Sequence, residues 1–149
     1  MKPSTSTQKF KDQLSRNISI VFPPQRIVSL VPSQTELLFD LGLDEEVVGI
    51  TKFCVHPAHQ FKIKSKVGGT KNINLEKIIA LSPDLIIANK EENDELQIRE
   101  LSARCPVWIS DIKSLQDAFR MITSVGEMIN RSAAALNLVK NIEASFAKS

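Results

Sequence analysis

The fold that this sequence predicts is α/β: a three-layer α/β/α lobe with a mainly parallel central sheet, ending in the start of a long helix. Three observations predict it. Short runs that are apolar at nearly every position recur, such as Ile27-Val28-Ser29-Leu30-Val31 and Leu85-Ile86-Ile87-Ala88, as a strand covered on both faces requires. Between them lie stretches whose apolar residues fall at helical spacing. The two kinds alternate, which is the pattern of parallel strands joined by crossover helices. The chain has 149 residues, 42% of them hydrophobic and 24% charged, the length of one domain with material for one core.

The elements follow in order. Phe10 to Leu14 and Ile18 to Phe22 flank the polar turn Ser15-Arg16-Asn17 and read as a hairpin, which Pro23-Pro24 stops. The first buried strand covers Arg26 to Val31. Helix one is expected to start at Ser33, because Ser33-Gln34-Thr35-Glu36 has the form of a capping box, in which the serine oxygen and the glutamate carboxylate each accept from an orphan backbone N–H. Leu37, Leu38 and Leu41 make its apolar stripe, and Gly42 ends it. A strand from Glu46 to Ile50 comes next, and Thr51 to Lys66 reads as a long loop holding His56, Pro57 and His59. A brief extended piece at Val67 leads into Gly68-Gly69. Asn74 caps a short helix carrying Leu75, Ile78 and Ile79, closed by Pro83. Then come a strand at Asp84 to Ala88, a helix at Asn93 to Ala103 and a strand at Pro106 to Ile109. Ser114-Leu115-Gln116-Asp117 resembles a second capping box, opening a helix with Leu115, Ala118, Phe119, Ile122 and Val125 on one face. Gly126 and Asn130-Arg131-Ser132 interrupt that pattern, and a last helix runs from Ser132 with Leu136, Val139, Ile142 and Phe146 on one side. Residues 1–25 are thus an N-terminal hairpin or arm, 26–131 the α/β lobe and 132–149 the opening of the final helix.

Charge and composition exclude several functions. There are 19 Lys and Arg against 17 Asp and Glu, with mixed signs, no long basic run and no aromatic-basic interleaving, so nucleic acid is not an expected partner. Two cysteines, Cys54 and Cys105, define no disulfide framework and do not fix a compartment. Met1 to Arg16 is polar, without the apolar core of a signal peptide or a lipidation cysteine, and no run is long enough for a membrane helix. As written, the chain is expected to be cytosolic, or exported with its leader removed.

In an open parallel sheet, ligands gather outside the carboxyl ends of the strands. The residues that follow the predicted strands are Ser33 and Gln34, then Thr51, Lys52 and Phe53, then Thr70 and Lys71, then Asn89 and Lys90, then Ser110 and Asp111. Lys52, Lys71 and Lys90, with the N-terminus of helix one, would suit a ligand bearing phosphate or carboxylate groups. The plain alternative is that they are solvated loop lysines. Cys54, His56 and His59 are metal-ligand types at reachable spacing but lack a fourth partner, so no metal is assigned to them. A metal-dependent enzyme or metal carrier built on that loop is the rival reading. No dinucleotide fingerprint, P-loop or nucleophile elbow occurs, and no nucleophile, base and oxyanion hole come together, so an enzyme is not expected. Trp108 reads as core, and Glu91-Glu92 as a solvated loop end.

Arg26-Ile27-Val28-Ser29-Leu30-Val31-Pro32-Ser33-Gln34-Thr35-Glu36-Leu37-Leu38, followed by Gly42-Leu43, resembles the class III substrate-binding proteins of ABC importers, the cobalamin- and iron-siderophore-binding helical-backbone metal receptors. The resemblance continues through Val47-Val48-Gly49-Ile50-Thr51, Cys54 and Pro57, Val67-Gly68-Gly69, Asn74-Leu75-Glu76-Lys77-Ile78 and Leu81-Ser82-Pro83-Asp84-Leu85-Ile86-Ile87-Ala88, and covers about Phe10 to Phe146. It implies two α/β lobes joined by a long bridging helix, with a metal chelate such as a corrinoid or ferric siderophore held between them and passed to an ABC permease. On that reading the chain is the N-terminal lobe, 132–149 is the start of the bridging helix, and the second lobe is missing. The implied ligand residues are Ser33, Gln34, Lys52, Phe53, His56, Lys71 and Lys90, with His56 replacing an aromatic common in relatives. Glu76 falls where the family places the acidic residue that docks on the permease, although its place in a first helical turn also suits the helix dipole. No covalently bound cofactor is implied, the location is periplasmic or cell-surface, and self-association through the uncovered bridging helix is expected. A non-exported binding module is the third reading.

Overall fold

A computed structural model describes residues 6–147. The hairpin is formed by β1 (Ser6–Lys11) and β2 (Asn17–Phe22), antiparallel and separate from the main sheet. Its first strand ends before Leu14, earlier than the hydrophobic pattern suggests. Asp12 ends it: its carboxylate accepts from the N–H groups of Leu14 (3.0 Å) and Arg16 (2.9 Å) and from the Arg16 guanidinium (2.9 Å), curling 12–16 into a closed loop. Leu14 therefore packs on the core as a loop residue.

The main sheet has five strands in the order β5-β4-β3-β6-β7, all parallel: β3 (Ile27–Ser29), β4 (Val47–Ile50), β5 (Ser65–Lys66), β6 (Leu85–Asn89) and β7 (Val107–Ser110). Residues alternate between two cores, as strand geometry demands. Ile27, Leu85, Ile87 and Trp108 face one cluster, together with Leu38 of α1 (Pro32–Asp40), Val125 of α5 (Leu115–Met128) and Val139 of α6 (Ser132–Ala147). Val28, Ile86, Ala88 and Val107 face the other, with Ile78 of α3 (Leu75–Ala80) and Leu101 of α4 (Glu95–Ser102). Two covered faces explain why the strands read as unbroken apolar runs. None of the helices among the described residues is long and apolar enough to cross a membrane.

Three expectations are corrected. Helix α1 starts at Pro32 with Val31 as N-cap and no side-chain cap, so the Ser33–Glu36 capping box does not form. Proline at the first helical position has no N–H to satisfy and carries a helix-ready φ, which moves the start one residue ahead of Ser33. The stretch Thr51 to Lys66 is not all loop: it contains α2 (Ala58–Ile63) and the edge strand β5. Tertiary partners hold α2, since its buried Gln60 donates to Asp44 (2.8 Å) and Phe61 packs on the core. Helix α4 is capped by Asp94 rather than opened at Asn93, whose amide is used elsewhere. The caps expected at Asn74 and Ser114 form, accepting from Lys77 and Asp117. The return arm of the Ser114 box lands one residue early, on the N–H of Lys113.

The loop 12–16 also covers the open edge of β7. Gln13 N–H donates to Ile109 O (3.0 Å), Arg16 donates to Val107 O (2.8 Å), and Asp111 N–H donates to the Gln13 side chain (2.8 Å). An edge strand that would template aggregation is thereby occupied within the chain.

Candidate ligand edge

From β3 the chain moves outward to β4 and β5, then crosses back to β6 and β7, so the strand order reverses between β3 and β6. Crossovers there leave on opposite faces and open a crevice at the carboxyl ends. A set of amides closes its floor. The Asn93 side chain donates to Leu30 O (3.1 Å) and Thr70 O (2.9 Å) and accepts from Asn89 N–H (2.8 Å). Asn89 donates to Ser110 Oγ (2.9 Å), which donates to Ala88 O (3.2 Å). Gln34, only 1% exposed, also donates to Ser110 Oγ, and its own oxygen has no hydrogen-bond partner among the described residues. Sequence reasoning missed Asn93 and the role of Ser110; a polar residue just past a buried apolar run was the available signal.

The seven proposed ligand residues lie in the segments that follow the strands, but they are not equivalent. Ser33 is exposed in the first turn of α1, whereas Gln34 is buried in the floor. Lys71 is drawn across the crevice to Glu91 O and Asn93 O. Lys90 lies 3.9 Å from the Asp111 carboxylate, which also faces Lys113 at 3.7 Å. Lys52 has no ion pair or hydrogen-bonded side-chain partner among the described residues; its ammonium stands 5.3 Å from the centre of the Phe53 ring. Phe53 is 54% exposed, uncommon for so large an apolar group. His56 is exposed and precedes a cis peptide bond to Pro57. Glu76 is exposed in the first turn of α3.

Cys54 does not join His56 and His59. Its sulfur is buried 3.1 Å from the hydroxyls of both Thr35 and Thr51, while the two histidines face solvent. Among the described residues no group of three His, Cys, Asp or Glu side chains could hold a metal ion, so the rival metal site has no geometric support.

The periplasmic binding protein family model matches residues 27–148, from the first strand of the sheet through the last helix. The chain belongs to the periplasmic binding protein family. Among relatives, an uncharacterized ABC transporter substrate-binding lipoprotein of Bacillus subtilis (strain 168), YvrC, is 31% identical over 91% of this chain and 44% of its own length. A vitamin B12-binding protein of Pectobacterium carotovorum subsp. carotovorum (strain PC1) is 35% identical over 63% of this chain and 34% of its own. The chain thus spans less than half the length of these relatives. Among solved structures, the siderophore binding protein BauB, bound to two molecules of acinetobactin and ferric iron, shares the fold with a TM-score of 0.83 at 21% identity, over 96% of this chain and 53% of that one. The periplasmic binding protein fold of this chain is thus the α/β unit described above.

Proposed function

We propose that this chain is the first lobe of the solute-binding component of an ABC-type importer. It presents its carboxyl edge to a metal chelate, a corrinoid or ferric siderophore, which a second lobe closes over and which passes to the permease. The observation that carries this reading is the exposed Lys52-Phe53 pair at the carboxyl end of β4, next to the strand that flanks the switch point of a periplasmic binding protein fold, with the ammonium over the ring and in no ion pair among the described residues. The names of the relatives support the ligand class. Glu76 is the proposed permease contact, the location is periplasmic or cell-surface, and the role is binding without covalent chemistry.

Calorimetric titration with cyanocobalamin and with a ferric siderophore set tests this, on the chain and on any longer product of its gene. Lys52→Ala, Phe53→Ala and His56→Ala are compared with the parent. At least one should weaken binding by about 1 kcal/mol or more, the usual cost of truncating a central contact. Unchanged affinity in all three would remove this loop from the site. Trp108 fluorescence is a poor reporter, because the indole lies in the core with its N–H donating to Lys11 O (3.1 Å).

A further inference from the structure

A cavity of about 350 Å³ lies at the β7 edge of the sheet, between the hairpin loop 12–16 and α4. That volume is at the lower end of the range for small-molecule sites, roughly 300–1,000 Å³. The cavity borders the crevice at Asn89, Lys90 and Asn93, but Lys52 and Phe53 follow β4, three strands away and thus about 14 Å off at ordinary strand spacing. Leu14, Ile98 and Ile109 supply its apolar wall, and Arg16, Lys90 and Arg99 its cations. Arg16 differs from the other two. The Arg99 guanidinium is paired with Glu95 at 2.9 Å, and the Lys90 ammonium faces Asp111 at 3.9 Å. Arg16 is held from two sides, with Nε donating to Asp12 (2.9 Å) and Nη2 to Val107 O (2.8 Å), while Nη1 has no hydrogen-bond partner among the described residues. The Asp12 carboxylate is not matched to Arg16 alone, because it also accepts from the N–H groups of Leu14 and Arg16. A second cavity of about 370 Å³ adjoins the first at Arg16 and Ser102, among the polar residues Asn17, Ser19 and Arg104. Arg16 thus stands where an apolar slot meets a polar opening.

We propose that this cavity is a second binding site, for a small monocarboxylate with an apolar body. The body lies along Leu14, Ile98 and Ile109, out of water. The carboxylate accepts from Arg16 Nη1. Hydrogen bonds between two charged groups are roughly twice as strong as neutral ones, and the two bonds that hold Arg16 mean that little freedom is lost when the ligand arrives. The charges favour a single negative group. Arg99 and Lys90 already face carboxylates, and Glu95 at the rim repels a second anionic group. An ion without an apolar body leaves the wall uncovered, and an apolar cation meets a guanidinium. The Ser102 hydroxyl is buried in the shared wall, without a partner among the described residues, and is not open to the ligand, so the charge selection is assigned to Arg16. All of these walls come from the α/β unit and its hairpin, so the site is complete without a second lobe.

The probe is octanoate, titrated into the methyl-labelled chain and followed by NMR, beside acetate, 1-octanol and octylamine. Octanoate should shift the methyl signals of Leu14, Ile98 and Ile109 together and saturably. The alcohol has the same tail without the charge and should bind about tenfold more weakly, the scale of a hydrogen bond to a charged group. Acetate and octylamine should leave these methyls in place. Arg16→Gln should weaken octanoate about tenfold and leave 1-octanol unchanged. Because Arg16 also closes the hairpin loop, Ser102→Leu is the second variant. It gives up no hydrogen bond among the described residues and adds bulk in the wall common to both cavities. It should abolish the octanoate shifts while the amide spectrum stays that of a folded chain. Four results would each overturn the site and leave the importer reading standing: no saturable shift at the three methyls, shifts confined to the exposed face of α6, equal binding of octanoate and 1-octanol, or full octanoate affinity in both variants.

Discussion

Asp12 has a fully buried side chain whose two oxygens take the N–H groups of Leu14 and Arg16, the Arg16 guanidinium and, at 3.4 Å, the N–H of Ile109. Asp12→Ala strips the acceptor from several donors at once and leaves Arg16 with Val107 O but without its carboxylate. Denaturant unfolding should show a loss of about 2 kcal/mol, the scale for leaving buried donors without their acceptor; a loss within the error of the parent would mean that the hairpin loop closes without it. Cys105 supplies a pH test. Burial pushes its thiol above the ordinary 9.0, partly offset by the Arg104 charge. Folding thus favours the protonated thiol. Any stability it adds is present below the unfolded value and is lost as pH rises through the folded one. The rate of alkylation at Cys105 should accordingly have its midpoint above 9.0. A midpoint at or below that value would show the thiol to be free of this burial.

At the scale of elements, α5 and α6 meet closely at Gly126. A Cβ on Gly126 would come within 2.3 Å of the Ala135 Cβ. Gly126→Ala gains about 1 kcal/mol of helix propensity, yet overpacking of this kind costs about 1–3 kcal/mol. Net destabilisation of about 1 kcal/mol is expected by thermal melting, with partial rescue when Ala135→Gly is added. A gain in stability would show that the helices can part without cost. Along α6 itself the predicted stripe is divided. Val139 and Ile142 pack on the core, whereas Leu136 (52%) and Phe146 (58%) are largely exposed. Such a face favours self-association of this chain. Sedimentation should show concentration-dependent association that Leu136→Glu reduces, and a strictly monomeric parent at high concentration would dismiss the expectation.

Across the whole molecule, stability should be graded from the centre of the sheet to its edges. Strands β3 and β6 lie inside, with helices on both faces, while β5 is a two-residue edge. In native-state hydrogen exchange the amides of Val28, Ile86 and Ile87 should be slowest, because only global unfolding frees them, and that of Lys66 should be fast. Equal protection across the sheet would contradict this grading. The other edge is guarded differently, by the loop 12–16 bonded to β7. The first strand of the hairpin contributes mostly surface: Phe10 is half-buried, but Ser6 to Lys9 are exposed. The hairpin's tie to the lobe runs through Asp12, Gln13, Leu14, Arg16 and Ile20.

Four of the five main strands, the α/β class and the caps at Asn74 and Ser114 were legible in the chain, because each is written in residues next to one another. An apolar run is buried on both faces wherever it goes, and a cap needs only its own first turn. The loop residues Lys52 and Phe53 could be read as a candidate site for the same reason: strand ends are local signals. What is made by distant partners was not legible. Nothing near Gln60 announces that Asp44 will hold α2 in place, and nothing near Cys54 shows that Thr35 will join its neighbour Thr51 in enclosing it away from the two histidines. Only tertiary structure decided that Gln34 would turn inward to Ser110 while Phe53 stayed outside. It also brought Phe53 to Gly69, where an added Cβ would stand 3.2 Å from the ring's Cε2. The physical reason is common to all: periodicity specifies which side of an element is apolar, but not which side chain from another part of the chain will meet its polar atoms.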